Sequence, residues 1–153
     1  MSTYNSSDFY RVSHDVDVCV VGGGMSGLCA ALAAARSGAR TILVQDRPVL
    51  GGNASSEVRM WICGAHGKNN KETGLLEEIQ LDNAAINPSG NYNIWDAVLW
   101  SKAQHQPNLT MLLNCAVCDG GTEPVPGDAT KRRLTHVRGY QTTSQTWHTI
   151  GAK

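Results

Sequence analysis

The sequence lacks net charge, long hydrophobic runs and an even set of cysteines, and each absence excludes a class of protein. Its 13 basic and 13 acidic side chains balance, so there is no basic excess with which to neutralise nucleic-acid phosphates. The tight basic cluster at residues 131–133 is interpreted as a solvated turn. No stretch approaches the roughly 20 apolar residues of a membrane-spanning helix, and the polar opening has no secretory core. We therefore expect no nucleic-acid partner, no membrane contact and a cytoplasmic location.

The five cysteines are an odd number in a chain without a secretory opening, so we expect reduced thiols rather than a disulfide framework. Cys115 and Cys118 form a C-x-x-C pair within a predicted strand. Residues three apart on a strand point to opposite faces, so their sulfur atoms cannot bridge without a break in the strand. This pair could bind zinc together with Cys63 and His66. A strong zinc pattern, however, has a second closely spaced cysteine pair, which this sequence does not contain. We therefore predict no metal site.

The chain of 153 residues is long enough for about one domain. Residues 1–15 are polar and aperiodic, which is typical of an extended lead-in or a frayed terminus. Val16–Val21 then ends as a continuous β-branched apolar run, the pattern of a strand covered on both faces in a parallel sheet. We therefore place one domain over residues 16–153, with residues 1–15 as its lead-in.

A strand, a glycine turn, a helix and a second strand follow one another in the first third of the chain. Residues 22–24 end the first strand, and apolar residues recur at helical spacing over 25–35, up to a terminating Gly38. Thr41–Val44 follows as a second buried strand. This order predicts a right-handed βαβ unit.

The rest of the chain contains weaker patterns. They predict helices over Glu72–Ala85 and from Trp95 towards Gln106 with Asn93 as its cap, a third strand over Leu109–Val117, a loop over 119–128, and antiparallel strands over Leu134–Thr143 and Gln145–Ile150.

Residues 22–27, GGGMSG, satisfy the pattern G-x-G-x-x-G. The pattern is weak alone, but here it follows a buried strand and opens a helix, as the dinucleotide fingerprint requires. Gly22 would permit the sharp turn, Gly24 the approach of backbone to a pyrophosphate, and Gly27 close packing of the helix on the strand. Free N–H groups and the helix dipole favour a diphosphate at this end. The cofactor-binding residues predicted here are Gly22, Gly24, Met25, Ser26 and Gly27.

The end of the second strand usually carries an acid that accepts hydrogen bonds from the adenosine ribose. Here that position holds Gln45, whose amide can still accept and donate. Asp46 can take over the contact, or can point away because strand neighbours face opposite sides. Gln45 with Arg47 can also accommodate a 2′-phosphate, which leaves an NADP-linked dehydrogenase fragment as an alternative.

The next segment carries a family resemblance. The run VQDRPVLGGNASSEVRMWICGAHG, followed by ETGLLEEI and NYNIWDAVLW, resembles a bacterial family of FAD-dependent oxidoreductases with a glutathione-reductase-type flavin domain. The resemblance covers nearly everything from Asp15 to the end. It implies an α/β Rossmann-like FAD/NAD(P)-binding three-layer fold, with a parallel central sheet and a small antiparallel meander. It further implies FAD as cofactor and hydride transfer between FAD and a small organic substrate.

The same resemblance implies roles for individual residues. The glycines of the first loop would hold the pyrophosphate, and Gln45 would sit at the ribose. The diphosphate and ribityl side would be lined by Arg47, Gly51, Gly52 and Asn53, and adenine would be contacted by the backbone of Val117, late in the third strand. A further parallel strand and a substrate domain are implied after Lys153, so we expect the N-terminal portion of an enzyme, completed by a downstream domain or a partner chain.

Flavin enzymes leave the redox step to the isoalloxazine ring, so the protein orients a substrate and moves a proton. Cys63 and His66 lie in a glycine-flanked loop beyond the cofactor run and are the catalytic candidates, although an ordinary loop histidine explains His66 as well. Glu57 and Arg59 either reach the flavin or an anionic substrate, or form a surface ion pair. A catalytically inert nucleotide-binding or assembly module remains the alternative from another class.

Overall fold

The computed structural model describes residues 9–64, 68 and 70–153, which contain seven strands and three α-helices. In chain order the elements are β1 (Tyr10–Val16), β2 (Val18–Val21), α1 (Met25–Arg36), β3 (Thr41–Val44), a single 3₁₀ turn (Gly52–Ala54), α2 (Gly74–Ile86), α3 (Tyr92–Gln104), β4 (Leu109–Leu112), β5 (Cys115–Val125), β6 (Asp128–Gln141) and β7 (Thr146–Ala152).

A three-stranded parallel sheet lies at the centre, in the order β2-β3-β4. All four residues of β3 are buried, because Leu43 packs against the helices while Ile42 and Val44 pack against the second sheet. The predicted βαβ unit is confirmed, and its second strand has the predicted bounds. Among the described residues, no helix has the length and apolar character needed to cross a membrane.

The second sheet has the order β1-β7-β6-β5, with β5, β6 and β7 antiparallel and β1 parallel to β7. A buried cluster that includes Val16, Leu112 and Ile150 fills the space between the two sheets. Helices, parallel sheet and meander therefore form three layers, and the predicted α/β fold class is confirmed.

Residues 10–16 form a paired strand, although their sequence predicts a lead-in. Tyr10, Val12 and Val16 alternate with polar residues, a period of two that is typical of a strand, although only Val16 of β1 is buried. Its order comes from the parallel ladder with β7, which runs from Tyr10 opposite Thr146 to Val16 opposite Ala152. Val16 therefore ends one strand instead of opening the next.

The predicted strand over Leu109–Val117 is two strands in two different sheets. β4 ends at Leu112, Asn114 adopts a left-handed φ of 53°, and β5 starts at Cys115. The predicted third-strand position of Val117 was therefore wrong, because Val117 lies in the meander opposite Gly139. No local pattern marks the change of sheet, since both halves are apolar.

The segment predicted as a loop over 119–128 is mostly strand. β5 continues to Val125, and three register shifts in its ladder with β6 accommodate the glycines and the proline. The basic cluster 131–133 lies on β6 and not in a turn. Its charges meet partners on or near β5, since Lys131 pairs with Asp128 and Arg133 with Glu123.

The two predicted later helices exist, but the third helix starts earlier than predicted. α3 begins at Tyr92, and its cap is Asn91 and not Asn93, since the Asn91 side chain accepts a hydrogen bond of 2.8 Å from the Asn93 N–H. Asp96 thereby falls beyond the first turn and is free to contact another segment.

Candidate functional site

The first glycine loop joins β2 to α1 and presents free amide donors. Gly22 has a φ of 102° and donates its N–H to the Val44 carbonyl over 2.8 Å. The N-cap of α1 is Gly24, no side chain of the described residues caps the helix, and its first turn holds no acid. First-turn N–H groups have no partner within a helix, and the positive end of the dipole attracts anions. The loop therefore fits a diphosphate.

Positions 24 and 27 of this loop differ in whether packing within the chain requires glycine. A Cβ on Gly27 would lie 1.9 Å from the Gly22 carbonyl oxygen, so the fold itself requires glycine there. A Cβ on Gly24 would meet only the Gly52 Cα, at 4.0 Å, which is an ordinary contact. Packing within the chain therefore does not require glycine at position 24, and the open space there fits a bound group.

The two glycine-rich segments form one continuous surface. Gly51 donates its N–H to the Gly23 carbonyl over 2.8 Å, and Gly24 and Gly51 form an isolated parallel bridge. A Cβ on Gly52 would approach the Gly24 Cα to 3.1 Å. The predicted pyrophosphate and ribityl segments are thus brought together, as one cofactor requires.

Gln45 lies behind this surface and contacts both segments. Only 4% of the residue is exposed. Its Oε1 accepts a hydrogen bond of 2.7 Å from the Gly23 N–H, and its Nε2 donates to the Val49 carbonyl over 3.2 Å. The contact of Gln45 with a ribose stays a prediction, and these inner partners were not anticipated.

The next two residues are exposed at the same edge of the sheet. Asp46 and Arg47 follow the carboxyl end of β3. Arg47 forms an ion pair with Glu57 at 3.0 Å, so Glu57 lies in a surface ion pair, but its partner is Arg47 and not Arg59. The Arg47 charge therefore has a carboxylate partner, and its contact with the cofactor stays a prediction.

The segment after the second glycine pair is positioned by local hydrogen bonds and by a residue that is distant in sequence. Asn53 is exposed, and its carbonyl accepts a hydrogen bond of 2.8 Å from the Met60 N–H. The buried Ser55 donates its hydroxyl to the Gly52 carbonyl over 2.7 Å. Asp96 of α3 accepts from the Ser56 N–H at 3.0 Å. Sequence reasoning missed Asp96 as a positioning residue, because no local signal links positions so far apart in the chain.

The remaining predicted cofactor residues differ in exposure. Met25 is half-buried against the helical core, whereas Ser26 is exposed. Val117 is half-buried on β5. The Cys115 N–H donates to the Gln45 carbonyl over 2.9 Å, so β5 starts beside the end of β3 and Val117 follows close to the nucleotide edge.

The catalytic candidates are only partly described. Cys63 is exposed, with its sulfur 3.7 Å from the Trp61 carbonyl oxygen, while His66 lies outside the described residues. Arg59 donates its Nε to the Ser56 carbonyl over 3.0 Å. No catalytic pair is therefore assembled among the described residues.

The C-x-x-C pair has one buried and one exposed thiol. Cys115 is buried and Cys118 is exposed, in agreement with the predicted opposite faces. Burial, together with the nearby thiols, raises the pKa of Cys115 to about 11, so this sulfur stays protonated at neutral pH and is a poor nucleophile or ligand. Among the described residues, no group of three or more His, Cys, Asp or Glu side chains could hold a metal ion.

A buried parallel strand, an uncapped glycine turn and a following helix define a dinucleotide-binding Rossmann-like fold. Residues 17–153 match the model of the family described as FAD dependent oxidoreductase. The chain belongs to this family, its cofactor is FAD, and it is an FAD-binding portion. The family resemblance is confirmed, and FAD replaces the NADP alternative.

Similar proteins share a part of this architecture. Fumarate reductase (cytochrome) from Shewanella frigidimarina is 57% identical over 42 residues, which are 27% of this chain and 7% of that protein. THI4 from Thermovibrio ammonificans has a TM-score of 0.61 at 24% identity, over 91% of this chain and 55% of that chain. A variant of quinol fumarate reductase FrdA from E. coli gives 0.61 at 14% identity, over 92% and 32%. The chain thus spans about half or less of these relatives, and the two structures support the fold.

Proposed function

We propose that this chain holds the FAD of an enzyme that transfers a hydride between a small organic substrate and the flavin. The observation that carries the proposal is the gap at Gly24, where a side chain would meet nothing closer than 4.0 Å beside an uncapped helix end. Such a gap fits a ligand that approaches the backbone. Membership of the FAD-dependent oxidoreductase family indicates that this ligand is FAD.

In this proposal the two glycine loops bind different parts of the cofactor. The first-turn amides of Met25, Ser26 and Gly27 would donate to the pyrophosphate. Gly52 and Asn53 would line the ribityl side. When bound, FAD supplies the redox chemistry at its isoalloxazine ring, while the chain supplies binding and orientation.

The adenosine end would lie at the carboxyl edge of β3. Asp46 offers an exposed carboxylate there, and a charged acceptor strengthens hydrogen bonds from ribose hydroxyls. Gln45 has both polar groups of its side chain engaged inside the protein, so it has less to offer a ribose. The backbone of Val117 would contact adenine. A proton transfer by Cys63 or His66 completes the proposal, with the substrate bound by a downstream domain or a partner chain.

A Gly24→Val variant tests the proposal directly. A Cβ at position 24 meets nothing closer than 4.0 Å, so the apo chain should still fold, which urea unfolding checks. FAD affinity, measured by calorimetry, should fall about 100-fold or more because the side chain occupies the pyrophosphate position. Ala30→Val, on an exposed position of the same helix, is the matched control and should bind FAD normally. Equal affinity of the Gly24→Val and parent chains would exclude the proposed site.

A further inference from the structure

The buried amide of Gln45 links two segments that are distant in sequence. Gly23 belongs to the first glycine loop, and Val49 leads into the second glycine pair through Leu50. Gln45 accepts from the first and donates to the second, over 2.7 Å and 3.2 Å. One side chain therefore sets the spacing of the two backbones between which the cofactor is proposed to bind.

The two contacts require an acceptor and a donor on the same planar group. A carboxamide has one of each, whereas an ionised carboxylate of the same shape can only accept. At position 45 a carboxylate oxygen would face the Val49 carbonyl oxygen, with 4% of the residue exposed to water. Two acceptors facing each other at this largely buried side chain are destabilising. A protonated carboxylic acid would restore the donor.

The charged groups near Gln45 are exposed or paired, and the nearest titratable thiol is neutral. On its own strand end, Asp46 and Arg47 are exposed, and Arg47 is paired with Glu57 of the second segment. From β5, the thiol of Cys115 is neutral because burial raises its pKa to about 11. The glycine loops packed against Gln45 contribute backbone amides and carbonyls.

We propose that Gln45 is a positioning residue whose neutral amide holds the two glycine segments at the spacing that FAD requires, and that the usual acid at this position would make that spacing depend on pH. The inference rests on the proposed function for its consequence on FAD, but the bridge itself belongs to the apo chain. Gln45 thus affects FAD binding through the positions of the two loops. The side-chain amide is required because its N–H donates to the Val49 carbonyl.

Two variants separate donor loss from charge. Gln45→Met keeps the length but removes both hydrogen bonds, so it should destabilise the apo chain and weaken FAD binding about tenfold at every pH. Gln45→Glu should behave like the parent near pH 4, where the protonated acid donates to Val49. Burial raises its folded-state pKa above the ordinary value of about 4.3, so stability and FAD affinity should fall as pH rises through the folded-state pKa.

The measurements are urea unfolding of the apo chain and FAD titration, each at about pH 4 and pH 8. Gln104→Glu makes the same change at an exposed position of α3 and is the matched control, so its stability and FAD affinity should follow the parent's pH profile. Parent-like unfolding and FAD binding by Gln45→Met would overturn the inference, as would a Gln45→Glu profile that equals the parent's at both pH values. A parent chain that binds no FAD would instead overturn the proposed function, while the unfolding data would still test the bridge.

Discussion

Single glycines in this chain serve either the fold or the ligand, and the two uses can be told apart by what a methyl group would touch. Gly27 faces a carbonyl oxygen at 1.9 Å, whereas Gly24 faces open space up to 4.0 Å. Both occupy the same sequence pattern. The pattern therefore predicts three glycines, while their separate reasons come from the neighbours that each one meets.

Gly27→Ala and Gly24→Ala form a matched pair that tests this difference. The first must move the Gly22 carbonyl, and we expect it to lose about 3 kcal/mol or more of unfolding free energy. The second has an allowed φ of −62° and should stay within about 1 kcal/mol of the parent, since reduced unfolded-state freedom offsets the loss of a favoured N-cap residue. Urea unfolding of both variants, read by far-UV circular dichroism, measures the difference. Similar stabilities of the two would contradict the assignment.

At the scale of elements, β1 shows how a strand forms with little burial. It contributes one buried residue to the core, and its ladder with β7 supplies the rest of its order. A side-chain contact reinforces the ladder, because His14 Nε2 and His148 Nδ1 lie 2.9 Å apart with their rings stacked at 5.2 Å. This contact needs at least one ring to be an unprotonated acceptor.

The histidine pair predicts a pH dependence of stability. Burial lowers the pKa of His14, and burial together with the nearness of His14 lowers the pKa of His148. The unfolded chain then binds protons more readily than the folded chain, so stability is full above about pH 6.5 and falls as pH decreases below it. The Gln141 amide oxygen, which carries no charge, also lies 3.4 Å from His148 Nε2.

Urea unfolding at about pH 7.5 and pH 5.5 measures this dependence. The parent should lose stability at the lower pH, and His14→Gln should lose less because one titrating ring is gone. His105→Gln, which changes an exposed histidine at the end of α3, should keep the parent profile. A His14→Gln profile equal to the parent would show that the pair does not carry the effect.

At the scale of the whole molecule, ligand binding and folding are linked. FAD would contact two segments that the fold brings together, and an unfolded chain has no such surface. A ligand that binds only the folded state stabilises it by about 2.7 kcal/mol at a hundredfold excess over its Kd. The two glycine segments thus connect the cofactor to the stability of the entire domain.

The expected result is a rise of the urea midpoint with FAD concentration in the parent chain. Gly24→Val should show no rise at the same concentrations, although its apo chain unfolds cooperatively. Intrinsic tryptophan fluorescence is quenched by flavin, so circular dichroism is the suitable signal. An equal rise in both chains would place the flavin elsewhere on the molecule.

Local patterns account for the part of the fold that carries the first loop. β-branched runs, helical spacing and a glycine turn act over a few residues, so the βαβ unit and the loop at its centre follow from chain chemistry alone. Boundaries were less accurate where a choice depended on neighbours. The helix that holds Trp95 begins at Tyr92 because Asn91, and not Asn93, meets a free N–H.

The remaining features depend on contacts between residues far apart in the chain. The pairing of β1 with β7, the move of residues 115–125 into another sheet, the Asp96 contact with Ser56 and the Gln45 bridge all join such positions. Short-range periodicity contains no information on such partners, because backbone hydrogen bonds and buried amides take whatever donor or acceptor the packing delivers. The amino-acid order thus predicted the loop at which the cofactor is proposed to bind, and packing selected the groups that hold that loop in place.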